Sequence, residues 1–356
     1  MLIVRNKNPV QNVLMRRHDI DTIRTAVLVL LIIYHAACSF MPWGNSIGFI
    51  TNKESLEIYA PMGFLNIWRI PILFVVSGMA FRFAYERRTR KKLLKDRFVR
   101  IYIPYVFGTF TFGSIPIGIY THYAEGKFIW FPNQSHLWFL NNIWVYSLAT
   151  IIVLKIFSYF PIEIPNILSR LLHYRFGLCA FVLPFVIEAY VFRYNIYSLY
   201  VLSLHGWILG LICFVTGYIW ICNHTLFFTL AKNNVFIFLS IATIMYANRL
   251  QNELTIANTL ISIESFCWIV GIFGIAAKCL NKDSNWLVYL KEAVFPVYIF
   301  HLPLQQAVAY FLFPLPIDAI YKLLLLIVLV SLVSILFFEL LKRVAFVRPL
   351  IGLKPM

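Results

Sequence analysis

The chain has 356 residues, 61% of them hydrophobic and only 13% charged, with a mean hydropathy of +0.77 and a net charge of +16. A soluble domain is about 45–50% apolar and about 25% charged, so this composition excludes a soluble protein and places nearly the whole chain in a membrane. It also excludes nucleic acid as a partner, because no polar stretch is long enough to fold into a basic domain.

In chain order the apolar runs are helix-length and continuous, without the alternation of barrel strands. They predict spans at 22–41, 61–84, 101–121, 138–160, 176–193, 199–222, 233–248, 255–277, 293–313 and 320–341. Each holds about 16–25 residues, enough to cross a bilayer with some tilt. The expected fold is all-α, a polytopic integral membrane protein of about ten transmembrane helices around a central tunnel. Residues 1–18 form an N-terminal segment, 19–345 the membrane domain and 346–356 a C-terminal tail. An even number of crossings puts both termini on one side. With that side cytoplasmic, only Lys53, Arg69, Lys127, Arg193, Arg249 and Lys322 of the 31 Lys and Arg fall outside, as the positive-inside rule requires. The first span is too long for a signal peptide and lacks an A-x-A cleavage site.

The six cysteines are scattered over the spans without CxxC or Cys/His spacing, so no metal site and no disulfide framework is expected. There is no Walker loop, GxGxxG, HExxH or GxSxG, and no permanently bound cofactor is expected.

Arg24 and His35 open the chemistry. Eleven residues of α-helix turn through about 1100°, so the two side chains share one stripe, about 16 Å apart along the axis. A flanking arginine and a satisfied histidine would be the structural reading. Ionisable groups are costly in lipid, however, and such a stripe should face protein or a wet cavity. On the functional reading an anion is held at Arg24 and a neutral His35 takes a proton from a hydroxyl as general base.

Segment 82–100 carries nine Lys and Arg. Topogenic charge and attraction to anionic lipid account for Arg87 to Lys92. Arg97 and Arg100, at i and i+3, point the same way and suit phosphate recognition by bidentate bonds. Arg69 runs against the positive-inside trend. It either snorkels to the outer interface or holds a carboxylate. Glu188, His205, Glu264, His301 and Glu339 lie within spans and must be paired, protonated or turned to a cavity. Glu264 and His301 lie near mid-span, where either could orient or charge-pair the site, whereas Glu339 lies beside Lys342 and Arg343 and reads as structural. Trp43, Phe49, Tyr59, Trp68, Phe128, Trp130, Phe131 and Trp138 gather at the outer side as an aromatic belt or as stacking platforms for sugar rings. Ser135-His136-Leu-Trp138, where an outer loop enters a span, fits either role.

Five short motifs occur in one order: Arg24-x10-His35, Phe74-Val-Val-Ser77-Gly78, Arg97-x-x-Arg100-x3-Pro104, His136-Leu-Trp138-Phe-Leu and Val297-Tyr298-Ile-Phe-His301-Leu-Pro303. Together they resemble the membrane-bound acyltransferase 3 family, from about Asp19 to the C-terminus. Trp68-Arg69-Ile-Pro71-Ile-Leu-Phe74, Ile263-Glu264-Ser265, Glu339 and Gly352-Leu-Lys-Pro355 look closest to its succinyltransferases of osmoregulated periplasmic glucans. The resemblance implies a bacterial inner-membrane enzyme with both termini cytoplasmic. It implies transfer of an acyl group, succinyl or acetyl, from cytoplasmic acyl-CoA to a hydroxyl of an extracytoplasmic glycan or glycolipid. His35 would be the essential base with Glu264 beside it in the catalytic set. Arg24, Arg97 and Arg100 would bind acyl-CoA, and Arg69, His136, Trp138 and His301 the substrates, Arg69 taking the free carboxylate of a succinyl group. The competing class is a proton-coupled secondary transporter or glycan flippase, which buried His and Glu would also suit.

Overall fold

Prolines and glycines decide where this apolar chain bends and where its helices touch. The computed structural model describes residues 17–157, 159, 164–174, 176–282 and 284–355. Residues 1–16 of the expected N-terminal segment lie outside the described residues. Among the described residues there are helices and no strands.

Helix α1 (His18–Cys38) carries Asp19 and Asp21 in its first turn, where acids complement the helix dipole. Helix α2 (Tyr59–Arg87) follows a long loop. Then come α3 (Arg90–Arg97), a π turn at Phe98–Tyr102, α4 (Ile103–Phe110), α5 (Ile115–Glu125) and α6 (Trp138–Phe157). The next are α7 (Ile164–Ser169), α8 (Leu183–Phe192), α9 (Leu204–Cys222), α10 (His224–Asn233) and α11 (Val235–Gln251). The chain closes with α12 (Asn258–Ile275), α13 (Asn285–Leu312), α14 (Ala319–Leu341) and the short α15 (Val347–Leu350).

Among the described residues, seven helical stretches are long and apolar enough to cross a membrane, at α1, α2, α6, α9, α12, α13 and α14. The α10–α11 pair, bent by 62°, makes an eighth if it is one span. The protein is therefore a multi-pass membrane protein, but the expected ten spans are not confirmed. The stretch 101–121 is broken. Pro104 and Pro116 start separate helices, and the turn between them is closed by Thr111 N–H and Gly113 N–H on the Gly108 carbonyl. The stretch 176–193 is a 3-10 run, Gly177–Val182, followed by the ten residues of α8. The C-terminal tail is not a loose extension. Ile351 and Leu353 are buried, and Gly352, at φ +77°, lies where a Cβ would stand 2.3 Å from the Phe295 ring and 3.2 Å from the Arg100 carbonyl.

The closest helix pair is α2 with α9. A Cβ on Gly78 would stand 1.8 Å from the Phe214 carbonyl oxygen, and one on Gly217 2.0 Å from that of Val75. Small residues let backbones approach closely in membranes, where packing and polar contacts replace the hydrophobic effect between helices. Pro71 adds a polar tie on the same helix. Having no N–H, it leaves the carbonyl four residues back, that of Ile67, without its helical donor. Ser265 Oγ of α12 donates to that oxygen at 2.7 Å, and the Tyr200 hydroxyl donates at 3.2 Å.

Gly78→Ala and Gly217→Ala should each destabilise the detergent-solubilised protein by about 1–3 kcal/mol through overpacking. Gly271→Ala, whose Cβ would meet chiefly the movable end of Leu239, should cost less. Thermal unfolding of the three variants checks this ranking.

Candidate active site

The site starts from His35 of α1 with Ser39 at its C-terminal cap, and His301 and Gln305 of α13, each pair one helical turn apart. His35 Nδ1 lies 2.9 Å from His301 Nε2, and the rings are stacked at 5.1 Å with 8° between their planes. Gln305 Nε2 donates to the His35 carbonyl at 2.8 Å and reaches Ser39 Oγ at 3.4 Å. Side chains at i and i+4 on facing helices thus lock α1 to α13.

The network fixes the tautomers. His301 Nδ1 lies 2.9 Å from the Tyr298 carbonyl, which can only accept, so Nδ1 carries the proton and Nε2 the lone pair. His35 must then donate from Nδ1 to His301 Nε2. Its own Nε2 is left with a lone pair, the arrangement that a general base requires. His35 is half-buried while His301 is fully buried, so His35 is the member of the pair that can meet a substrate. Phe49 covers it, with ring centroids 5.8 Å apart. The loop bearing Phe49 is latched by Gln306, which accepts from Ile50 N–H at 3.0 Å and donates to the Gly48 carbonyl at 2.7 Å.

A proline explains why the third histidine is there. Pro303 lacks the N–H that would bond the Ile299 carbonyl, four residues back. His136 Nε2 donates to that carbonyl at 2.9 Å. In return the Tyr298 hydroxyl donates to the His136 carbonyl. The His136 ring stands edge-on to His301, with centroids 5.1 Å apart. Irregular backbone in a membrane is tolerated where such partners satisfy it, and the His301-Leu-Pro303 motif carries both the orienting ring and the freed carbonyl.

Arg69 reaches the same region from α2. It is 1% exposed, and its guanidinium lies 4.0 Å from the Tyr34 ring centroid. Its charge acts on both His35 and His301. The other expected members are placed elsewhere. Glu264 does not join the histidines. It accepts from Arg249 Nε at 2.8 Å and Nη2 at 3.0 Å, and from Trp268 Nε1 at 3.3 Å. Its carboxylate is committed to an ion pair between α11 and α12. Trp138 is 6% exposed and packs against Phe74, so its ring offers no open face to a sugar. His136 lies behind His301, with Nε2 already donating, and is 8% exposed.

At the far end of the α1 stripe, the charge of Arg24 acts on Arg97 of α3 and Arg100 of the turn after it. Arg97, half-buried over the Phe81 ring, has its pKa pushed down to about 10, first by burial and then by the positive charges of Arg24, Arg100 and Arg88. Arg88 is paired with Asp96 at 2.8 Å. Among the described residues Arg24, Arg97 and Arg100 form no ion pair. The three guanidiniums are close enough to act on one another's charge. Leu28 and Leu31, between Arg24 and His35 on the same stripe, are packed in the core.

The family whose model matches is acyltransferase 3, described as an acyltransferase domain, and the match covers residues 17–339. The chain belongs to the acyltransferase 3 family. No curated protein and no solved structure matches it. Membership makes acyl transfer at a membrane the reaction class of this acyltransferase 3 chain. The Phe74–Gly78 motif gains a physical reason from the fold, since Gly78 is where α2 touches α9. Gln305 and Ser39 were not among the expected site residues. Gln305 could have been found as the residue four positions after His301, and Ser39 as the one four after His35.

His136→Ala should leave the Ile299 carbonyl without a donor and cost about 1–3 kcal/mol. Pro303→Ala returns the missing N–H. In a double-mutant cycle the second change should recover part of the first loss, as read by unfolding in detergent. Strictly additive losses would mean that the two residues do not share that carbonyl.

Proposed function

We propose that this protein transfers a succinyl or acetyl group from cytoplasmic acyl-CoA to a hydroxyl of an extracytoplasmic glycan or glycolipid, with His35 as the general base. The observation that carries the reading is the His35–His301 hydrogen bond, which leaves His35 Nε2 with its lone pair on the accessible side of the pair. The arginine group at the opposite end of α1 supports the donor. Arg97 and Arg100 hold the nucleotide phosphates and Arg24 lines the path of the pantetheine arm. The arm runs about 16 Å along α1, and Leu28 and Leu31 part to admit it. Holding both substrates at His35 removes much of the entropic barrier to their reaction. The protein sits in a bacterial inner membrane, with both termini on the cytoplasmic side, where the arginines gather.

In the reaction the acceptor hydroxyl gives its proton to His35 Nε2 as its oxygen attacks the thioester carbon. His301 accepts the His35 Nδ1–H throughout and stabilises the imidazolium that forms, the role of an orienting partner behind a base. Collapse of the tetrahedral intermediate breaks the C–S bond, and the proton on Nε2 passes to the departing thiolate. Glu264 takes no step here, because Arg249 holds both its oxygens.

The test combines binding and transfer. Acetyl-CoA, succinyl-CoA and free CoA should each raise the melting temperature of the detergent-solubilised protein. The Arg97→Ala/Arg100→Ala pair should abolish that shift. His35→Ala should keep the shift and lose transfer of labelled acyl groups to the envelope glycan fraction. No shift with any CoA species would remove the donor assignment.

A further inference from the structure

Arg69 is a fully buried cation with no ion pair among the described residues. Its Nε and Nη1 are sealed from solvent and bonded to nothing among the described residues. Two buried acids have partners elsewhere, Glu188 Oε1 at His205 Nδ1, 2.7 Å away, and Glu264 at Arg249, 2.8 Å away. The ionisable groups set beside Arg69 include Tyr34, Cys38 and Tyr200, none of them a carboxylate. Burying a cation without a partner costs several kcal/mol. A fold that pairs Glu264 with Arg249, yet buries this guanidinium beside the histidine pair without an acid among the described residues, holds it for a charge that is absent until the reaction creates it.

We propose that Arg69 receives the negative oxygen that forms on the acyl carbonyl during transfer. The inference rests on the acyl-transfer reading with His35 as base. As the acceptor oxygen bonds to the acyl carbon, the carbonyl π pair moves onto oxygen, and an unpartnered N–H of the Arg69 guanidinium donates to it. When the C–S bond breaks, that pair returns to re-form the carbonyl. A preorganised donor aimed at charge that exists only in the transition state accelerates the step without tightening the ground state. The Tyr34 ring, 4.0 Å from the guanidinium carbon, fixes its plane. Tyr34 adjoins His35 on α1, so base and oxyanion donor are set by the same turn. The free carboxylate of a succinyl group offers the same anionic chemistry from a second source.

The experiment uses the full chain in lipid nanodiscs and follows transfer from labelled acetyl-CoA and succinyl-CoA to the envelope glycan fraction. Arg69→Gln should lower kcat with both donors by about 10²–10³ while KM changes little, and Arg69→Lys should regain part of the loss. The melting temperature of Arg69→Gln should equal or exceed that of the unsubstituted protein, because the change removes an unpaired buried charge. A loss confined to succinyl-CoA and expressed in KM would assign Arg69 to the acyl carboxylate and overturn the proposal. So would unchanged kcat with both donors, or a fall in activity matched by a fall in melting temperature. His35→Ala run in parallel separates the two claims. Inactive His35→Ala beside active Arg69→Gln defeats only the oxyanion assignment, whereas active His35→Ala defeats the base reading beneath it.

Discussion

A histidine inside a membrane must be given a partner, and for His35 that partner is His301. The 2.9 Å bond between them joins α1 to α13 and sets which nitrogen of each ring bears hydrogen. Everything around it serves to hold His301 still. The Tyr298 carbonyl fixes its Nδ1–H, His136 stands against its edge, and Pro303 supplies the open carbonyl that brings His136 there. The proline thus destroys one helical hydrogen bond and, through the carbonyl it frees, recruits a ring from another helix. Pro71 of α2 does the same with Ser265 and Tyr200. Two prolines thereby convert backbone defects into contacts between helices.

Charge is divided between the ends of the bundle. At one end Arg24, Arg97 and Arg100 converge with Asp96 already taken by Arg88. At the other, Glu188 bonds His205, Arg249 neutralises Glu264, and Arg69 has no acid partner among the described residues. Each end therefore keeps positive charge in excess of its local acids, with the histidine pair near Arg69. An acyl donor with a polyanionic tail and a carbonyl that turns negative during reaction matches this polarity at both ends.

The all-helical membrane class was legible from composition and run length, because lipid allows few alternatives. The Arg24–His35 stripe was legible from helical periodicity alone. The span count was not. The runs at 101–121 and 176–193 are apolar enough, but Pro104, Pro116 and the 3-10 segment before α8 break them. Periodicity sees hydrophobicity and not the backbone path. His301 was visible as a mid-span histidine, yet nothing in one sequence places it against His35, which is 266 residues away. Glu264 was visible in the same way and led toward the catalytic set. Its actual partner, Arg249, stood out only as a cation on the outer side. Two opposite charges buried in consecutive spans are a pairing signal, and the cost of leaving either alone would have pointed to it.

The central claim is the tautomer of His35, and ¹⁵N NMR of the histidine-labelled protein in lipid measures it most directly, with His35→Ala and His301→Ala used for assignment. The account predicts a protonated Nδ1 and a bare Nε2 on His35, with a coupling across the bond from His35 Nδ1 to His301 Nε2. A His35 ring protonated at Nε2 and bare at Nδ1, with no such coupling, would contradict it.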